Sequence, residues 1–253
     1  MTGDAADLTA TQLLAAYRAG DLSPTQACDA VLDRIEAVDP VLNAYRLVDA
    51  DRARKSAAES TTRWLRGEPA GLLDGVPASI KDLLLTEGWP TLRGSRAISP
   101  DQPWSADSPA VARLREHGAV LVGKTTTPEL GWKGLTDSPL TGITRNPWDP
   151  TRTPGGSSGG AAAAVAAGMA PLAVGTDGGG ADSGRLHGDV HAEAHLWPGA
   201  ALSGQRVRHA RAHRPHHAHG RRRVAHAAGD VGARLSRLVR PRTPVRRTGS
   251  AGS

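Results

Sequence analysis

The stretch TPGGSSGGAAAAVAAGMAPLAVGTDGGG, residues 153–180, decides how the chain is read. Residues 161–169, AAAAVAAGM, have the composition of a helix whose small side chains let it pack closely on a neighbour. Its unpaired N-terminal N–H groups would then face the loop that carries Ser157 and Ser158. The run PLAV reads as a strand. The turn GTDGGG at its end offers consecutive N–H groups suited to an anion or a developing oxyanion. A flexible linker would explain PGGSSGG taken alone, and a phosphate loop would compete for GTDGGG. Residues 153–180, however, contain neither GxxxxGK[ST] nor GxGxxG, so the glycine turn does not carry a phosphate-loop pattern.

Working outward from that stretch, GVPASIKD (75–82) and AVLVGKT (119–125) are short apolar runs that read as strands. Between them SPAVARLREH (108–117) reads as a helix, with Ser108 as cap and Pro109 in the first turn. Strand, helix and strand in this order give an α/β fold with a covered sheet. Further upstream the period lengthens to that of helices. Thr9 with Gln12 predicts a capping box for LLAAYRA, ended by Gly20, and Ser23-Pro24 with Gln26 opens a second helix. Ala27, Val31, Ile35 and Val38 form the apolar stripe of that second helix, and Pro40 is expected to stop it. A third helix is expected from Asp49 to Arg66, closed by Gly67 and Pro69.

Lys81 stands at the end of an otherwise apolar segment. A lysine there either keeps its amine in water or loses solvation and becomes a base, since burial disfavours its charged form. Residue type alone favours the first reading.

VPASIKD, then TRNPWDPTRTPGGSSGG, then PLAVGTDGGG, in that order and spacing, resembles the amidase signature family, whose members hydrolyse or transfer at carboxamides; GKTTTPELGW (123–132) and NPWDP (146–150) resemble it as well. The resemblance covers about residues 5–180. It implies N-terminal helices wrapping a mixed, largely covered sheet, truncated here, and a triad of a lysine, a serine on a cis peptide bond and a nucleophilic serine. It puts Lys81 in the role of ultimate base, and Ser157 in the role of the cis serine that relays the proton. The backbone N–H groups around Gly178, Gly179 and Gly180 would form the oxyanion hole. The family expects GTDxGGS followed by (I/V)R(I/F)P, and here Ala181 occupies the nucleophile's place. Ala181 has no atom able to attack a carbonyl, and Ser183, two residues further on, is a poor substitute.

The composition changes at the same point. Residues 1–180 hold 17 Lys and Arg against 21 Asp and Glu, whereas residues 181–253 hold 14 Arg against 4 acids and nine of the ten histidines. Codon degeneracy explains the change. Ala181 to His187, read one base later, can spell Arg-Ile-Pro-Ala-Ala-Phe, and Ala192 to Ala200 can spell Leu-Lys-Pro-Thr-Phe-Gly-Arg-Val, both resembling the family's continuation. The sequence therefore reads as frameshifted near codon 181. Residues 181–253 would be an Arg/His/Ala-rich, non-native tail without apolar period or packed structure.

Three segments follow from this: an N-terminal helical region (1–70), a partial amidase signature core (71–180) and the tail (181–253). The expected function is an amidase-lineage hydrolase acting on carboxamide C–N bonds through a serine acyl-enzyme, inactive in this form because Ala181 replaces the nucleophile. The alternatives are a fragment like the amide-transfer subunit of a glutamine-dependent amidotransferase, or a nonfunctional product with adventitious nucleic-acid binding by the arginines of the tail. The small-molecule carboxamide is the expected partner of the intact lineage. The tail has neither the stacking aromatics nor the fold of an evolved nucleic-acid binder. No cofactor and no metal are expected, since the tail histidines match no closed ligand spacing. No apolar run reaches the roughly 18 residues of a membrane span, and the start MTGDAADLTATQLL lacks a secretory signal, which predicts the cytoplasm. With the downstream strands missing, sheet edge and apolar surface are expected to lie uncovered.

Overall fold

A computed structural model describes residues 4–177 of the 253. Helix α1 (Ala10–Ala19) starts at the capping box of Thr9 and Gln12 and ends at Gly20, whose φ of 75° supplies the left-handed turn. Helix α2 (Pro24–Leu42) starts at the capping box of Ser23 and Gln26 and buries Ala27, Val31, Ile35 and Val38, as the stripe predicted. Its end differs from expectation, because Pro40 lies inside the helix. A proline there forfeits the one bond its N–H would make to the carbonyl four residues before it, and the helix runs on for its last two residues. The helix closes three residues after Pro40 at Asn43, which is left-handed and donates its N–H to Asp39 O. The Asp39 carboxylate then accepts the N–H groups of Ala44 and Tyr45 at 2.6 and 3.1 Å and turns the chain into a strand.

That strand, β1 (Tyr45–Val48), has no counterpart in the sequence reading. Helix α3 (Ala50–Leu65) follows where a helix from Asp49 to Arg66 was expected, with Asp49 as its N-cap and Arg66 as its C-cap. Next come β2 (Pro77–Lys81), α4 (Pro109–Glu116) and β3 (Val120–Thr125). A small hairpin pairs β4 (Asp137–Ser138) with β5 (Gly142–Ile143). Helix α5 (Gly159–Ala166) and β6 (Leu172–Val174) complete the described chain.

The main sheet has the order β1-β3-β2-β6. β1 runs antiparallel to β3, whereas β2 is parallel to both β3 and β6, so the sheet is mixed. Every residue of β2 and β3 is buried, as befits central strands covered on both faces. One core joins α2, α3 and α5 to β3 through Val31, Ile35, Ala53, Ala57, Val122 and Ala163. A second joins Ala78, Ile80 and Leu121 to Trp89 and Val111. Helix α5 sits close because it has no large side chains. A Cβ added to Gly160 would come within 2.6 Å of the Thr126 backbone nitrogen and oxygen.

Among the described residues Leu130, Trp132, Leu135 and Ile143 are exposed, Trp132 by 91%. No described helix is long and apolar enough to cross a membrane, and no described group of three or more His, Cys, Asp or Glu is placed to hold a metal ion. The expectations for Gly178, Gly179, Gly180, Ala181, Ser183 and the tail through residue 253 lie outside the described residues.

Candidate active site

Three elements converge on one amine. β2 ends at Lys81, the loop before α5 carries Ser157 and Ser158, and the chain leaving β6 carries Thr176. Lys81 Nζ lies 2.7 Å from Ser157 Oγ, 2.8 Å from Ser158 Oγ and 2.9 Å from Thr176 Oγ1, with the Thr176 carbonyl at 3.4 Å. The three strand and loop ends meet at the carboxyl side of the parallel strands, where crevices form in open α/β sheets. Ser157 and Ser158 are half-buried, while Lys81 is fully buried.

Burial acts on the charge of Lys81. It pushes the ammonium down from 10.5 to about 7, against the opposing pull of the Asp177 carboxylate. The amine is therefore poised to exchange a proton near neutrality, as a general base requires. Of the two readings that the sequence allowed for this lysine, the solvated one is excluded by its 0% exposure.

The glycine-serine loop is fixed by threonines. The Gly156–Ser157 peptide bond is cis, the geometry that the family resemblance implied for the serine in this place. Thr127 Oγ1 donates to the Ser157 carbonyl at 3.3 Å. Thr136 Oγ1 donates to Gly155 O at 2.7 Å and accepts the Gly159 N–H at 3.0 Å, so one hydroxyl bridges the loop and the first turn of α5. Ser158 Oγ donates to Thr176 O and accepts the Thr176 N–H, both at 3.2 Å, which ties the loop to the end of β6.

A second buried lysine lies on the opposite face of the sheet. Lys124 pairs in register with Ile80, so it points away from Lys81. Its Nζ donates to Leu84 O at 2.6 Å, Thr91 Oγ1 at 2.9 Å and Thr86 Oγ1 at 3.2 Å, and lies 3.7 Å from Asp82 Oδ1. Arg46 Nε lies 2.8 Å from the other Asp82 oxygen, and Arg46 also donates to Pro90 O. Burial lowers Lys124 to about 8 and raises Asp82, although the two cations pull the carboxylate back down. This network braces the turn that follows Lys81.

Lys81 and Ser157, the two candidate catalytic residues inside the described chain, are thus brought together. Sequence reasoning missed Ser158 and Thr176 as partners of the amine, and Thr127 and Thr136 as supports. Ser158 stood in the quoted motif without a role. Thr176 lies in GTDGGG, where the glycines carry the motif. The support threonines follow β3 or sit in the next loop, and nothing in their spacing points to the serines.

The fold and this constellation define an α/β scaffold with a lysine-serine centre, and comparison with known proteins gives the family. The model of the amidase family matches residues 26–185. The chain is 43% identical over 173 residues to an acylamidase of Rhodococcus erythropolis, covering 68% of this chain and 36% of that protein. It is 44% identical over 173 residues to a glutamyl-tRNA(Gln) amidotransferase subunit of Chloroflexus aurantiacus, covering 68% and 35%. The solved structure of a bacterial aryl acylamidase of the amidase signature family superposes with a TM-score of 0.65 at 40% identity, over 68% of this chain and 36% of that one. The chain belongs to the amidase signature family and spans about a third of the length of the curated relatives it matches.

Proposed function

We propose that the chain derives from a hydrolase that cleaves carboxamide C–N bonds through a serine acyl-enzyme, and that its 253 residues do not turn over amides. The observation that carries the reading is the contact of 2.7 Å between the buried Lys81 amine and the Ser157 hydroxyl. In the intact lineage Lys81 is the ultimate base, and Ser157 relays the proton from the nucleophile and then to the leaving amine. The N–H groups of Gly178, Gly179 and Gly180 hold the oxyanion. Ala181 in the nucleophile's position removes the covalent route. Residues 71–180 form the partial catalytic core, residues 1–70 its helical wrapper, and residues 181–253 are read out of frame. The family match ending at residue 185 supports a change of character near codon 181. A small carboxamide is the partner of the intact lineage, in the cytoplasm.

A second reading, an amide-transfer subunit whose released ammonia passes to a partner, is favoured by the likeness to glutamyl-tRNA(Gln) amidotransferase subunits. One experiment addresses both readings. The chain and a version restored to GGGSIRIP with its full downstream sequence are incubated with simple aliphatic and aromatic amides and with glutamine. The restored enzyme hydrolyses amides and loses this on Lys81→Ala, while the present chain is inert. Hydrolysis by the present chain would refute the reading, and glutamine-restricted turnover would favour the transfer function.

A further inference from the structure

We propose that in this chain Ser157 and Lys81 form a serine–lysine dyad that accepts an acyl group from activated esters, with Ser157 Oγ as the attacking atom. The proposal rests on the site reading above and gives Ser157 a role beyond relay.

The hydrogen bonds single out Ser157 from the other hydroxyls on the amine. Ser158 Oγ is committed on both sides, donating to Thr176 O and accepting the Thr176 N–H. Ser157 Oγ has Lys81 Nζ as its one hydrogen-bond partner among the described residues. With Nζ neutral, its lone pair accepts the Ser157 proton along the same 2.7 Å line, which is the nucleophile–base contact of covalent catalysis. Thr176 Oγ1 also reaches Nζ, but it is a more crowded secondary hydroxyl on a β-branched residue. Ser157 is half-buried, so a small acyl donor can approach, and Thr127 fixes its carbonyl. Its position just before the first turn of α5 places developing negative charge at the positive end of that helix.

The reaction balances with the groups present. Ser157 Oγ bonds to the ester carbonyl carbon while its proton passes to Lys81 Nζ. The bond from that carbon to the aryloxide oxygen then breaks, and the aryloxide leaves with the electron pair. The proton on Nζ returns to the aryloxide or to water, leaving acyl-Ser157 and a neutral amine. Once Ser157 carries the acyl group it cannot relay a proton to a leaving amine. The dyad is therefore restricted to donors whose leaving group departs as an anion, consistent with an absence of amide turnover.

The test mixes the full chain with p-nitrophenyl acetate, follows release of p-nitrophenolate, and locates the acetyl group by peptide mass spectrometry. The expected result is a burst of no more than one equivalent with the acetyl on Ser157. The burst rate should rise with pH through about 7 and then level as Nζ loses its proton. Asp177 is the charged group acting on that amine; Asp82, next in sequence, is engaged by Arg46 and Lys124. Ser157→Ala and Lys81→Met should each slow the burst by about 100-fold or more, and Ser183→Ala should leave it unchanged. The location of the acetyl group on the unmutated chain decides the matter even where a variant fails to fold. Acetyl on Lys81, Ser158, Thr176 or Ser183, or absence of a burst, overturns the proposal. Such a failure leaves the amidase reading standing, because that reading is tested by amide hydrolysis in the restored enzyme.

Discussion

Replacing Asp82 with Asn removes the anion from a buried cluster and leaves two cations facing each other. Asp82 is 1% exposed, Lys124 is 0% exposed and the Arg46 side chain 11%. Breaking a buried ion pair by removing one partner costs about 3–5 kcal/mol, because the remaining charge has lost its compensation. Two features set where in this range the cost falls. Arg46 keeps its charge under any condition, which argues for the full penalty. Lys124 is already lowered to about 8 by burial, with Asp82 the main influence holding it up, so in Asp82→Asn it sheds its proton near neutrality and relieves part of the repulsion. The expected loss is about 3 kcal/mol at neutral pH, the low end of that range. Asp29→Asn breaks the pair with Arg54, in which both side chains are nearly half exposed and screened by water, and should shift the midpoint far less. Urea denaturation followed by tryptophan fluorescence reads both as midpoint shifts. Equal shifts for the two variants would refute the reasoning that burial sets the cost.

Three further outcomes follow from named groups. Lys81 is lowered to about 7 in the fold from its ordinary 10.5, so the folded chain binds fewer protons between these values. Its contribution is present above the unfolded value and lost as pH falls, so stability should rise from about pH 7 to about pH 10, and Lys81→Met should flatten that rise in denaturation midpoints relative to the unmutated chain. Asp39 has the opposite sign: burial raises it from 3.8 to about 6, so its contribution is present below the unfolded value and lost as pH rises through about 6. Asp39→Asn retains an oxygen for the Ala44 and Tyr45 N–H groups and should flatten the decline in midpoint between about pH 4 and 6. Gly160→Ala meets the Thr126 backbone and should lower stability by about 1–3 kcal/mol. Gly134→Ala, which meets nothing within 4 Å, should change the same melting curve little.

The sequence carried the elements with strong local chemistry. The caps at Thr9 and Ser23 and the stripe through Val31 and Ile35 place their helices by neighbours three or four residues away. Pro40 does not stop α2 because a proline near a helix end removes little, and the sequence alone does not separate a terminal turn from an interior one. β1 was hidden because four residues carry almost no period, and its pairing with β3 joins positions about 80 apart. At the site, Lys81 and Ser157 were legible from motif order. Ser158, Thr176, Thr127 and Thr136 were not, since a hydroxyl's partner is set by three-dimensional approach and leaves no spacing in the chain.

The protonation of Lys81 tests the account most directly, because base, relay and dyad all require an amine that is neutral near neutral pH. The measurement is the pH titration of the Lys81 side-chain resonance in the full chain, labelled at lysine Cε and assigned by its loss in Lys81→Met. The account predicts a midpoint near 7, produced by burial against the pull of Asp177. A midpoint near the ordinary 10.5 would contradict it, and would return Lys81 to the role of a solvated lysine at a strand end.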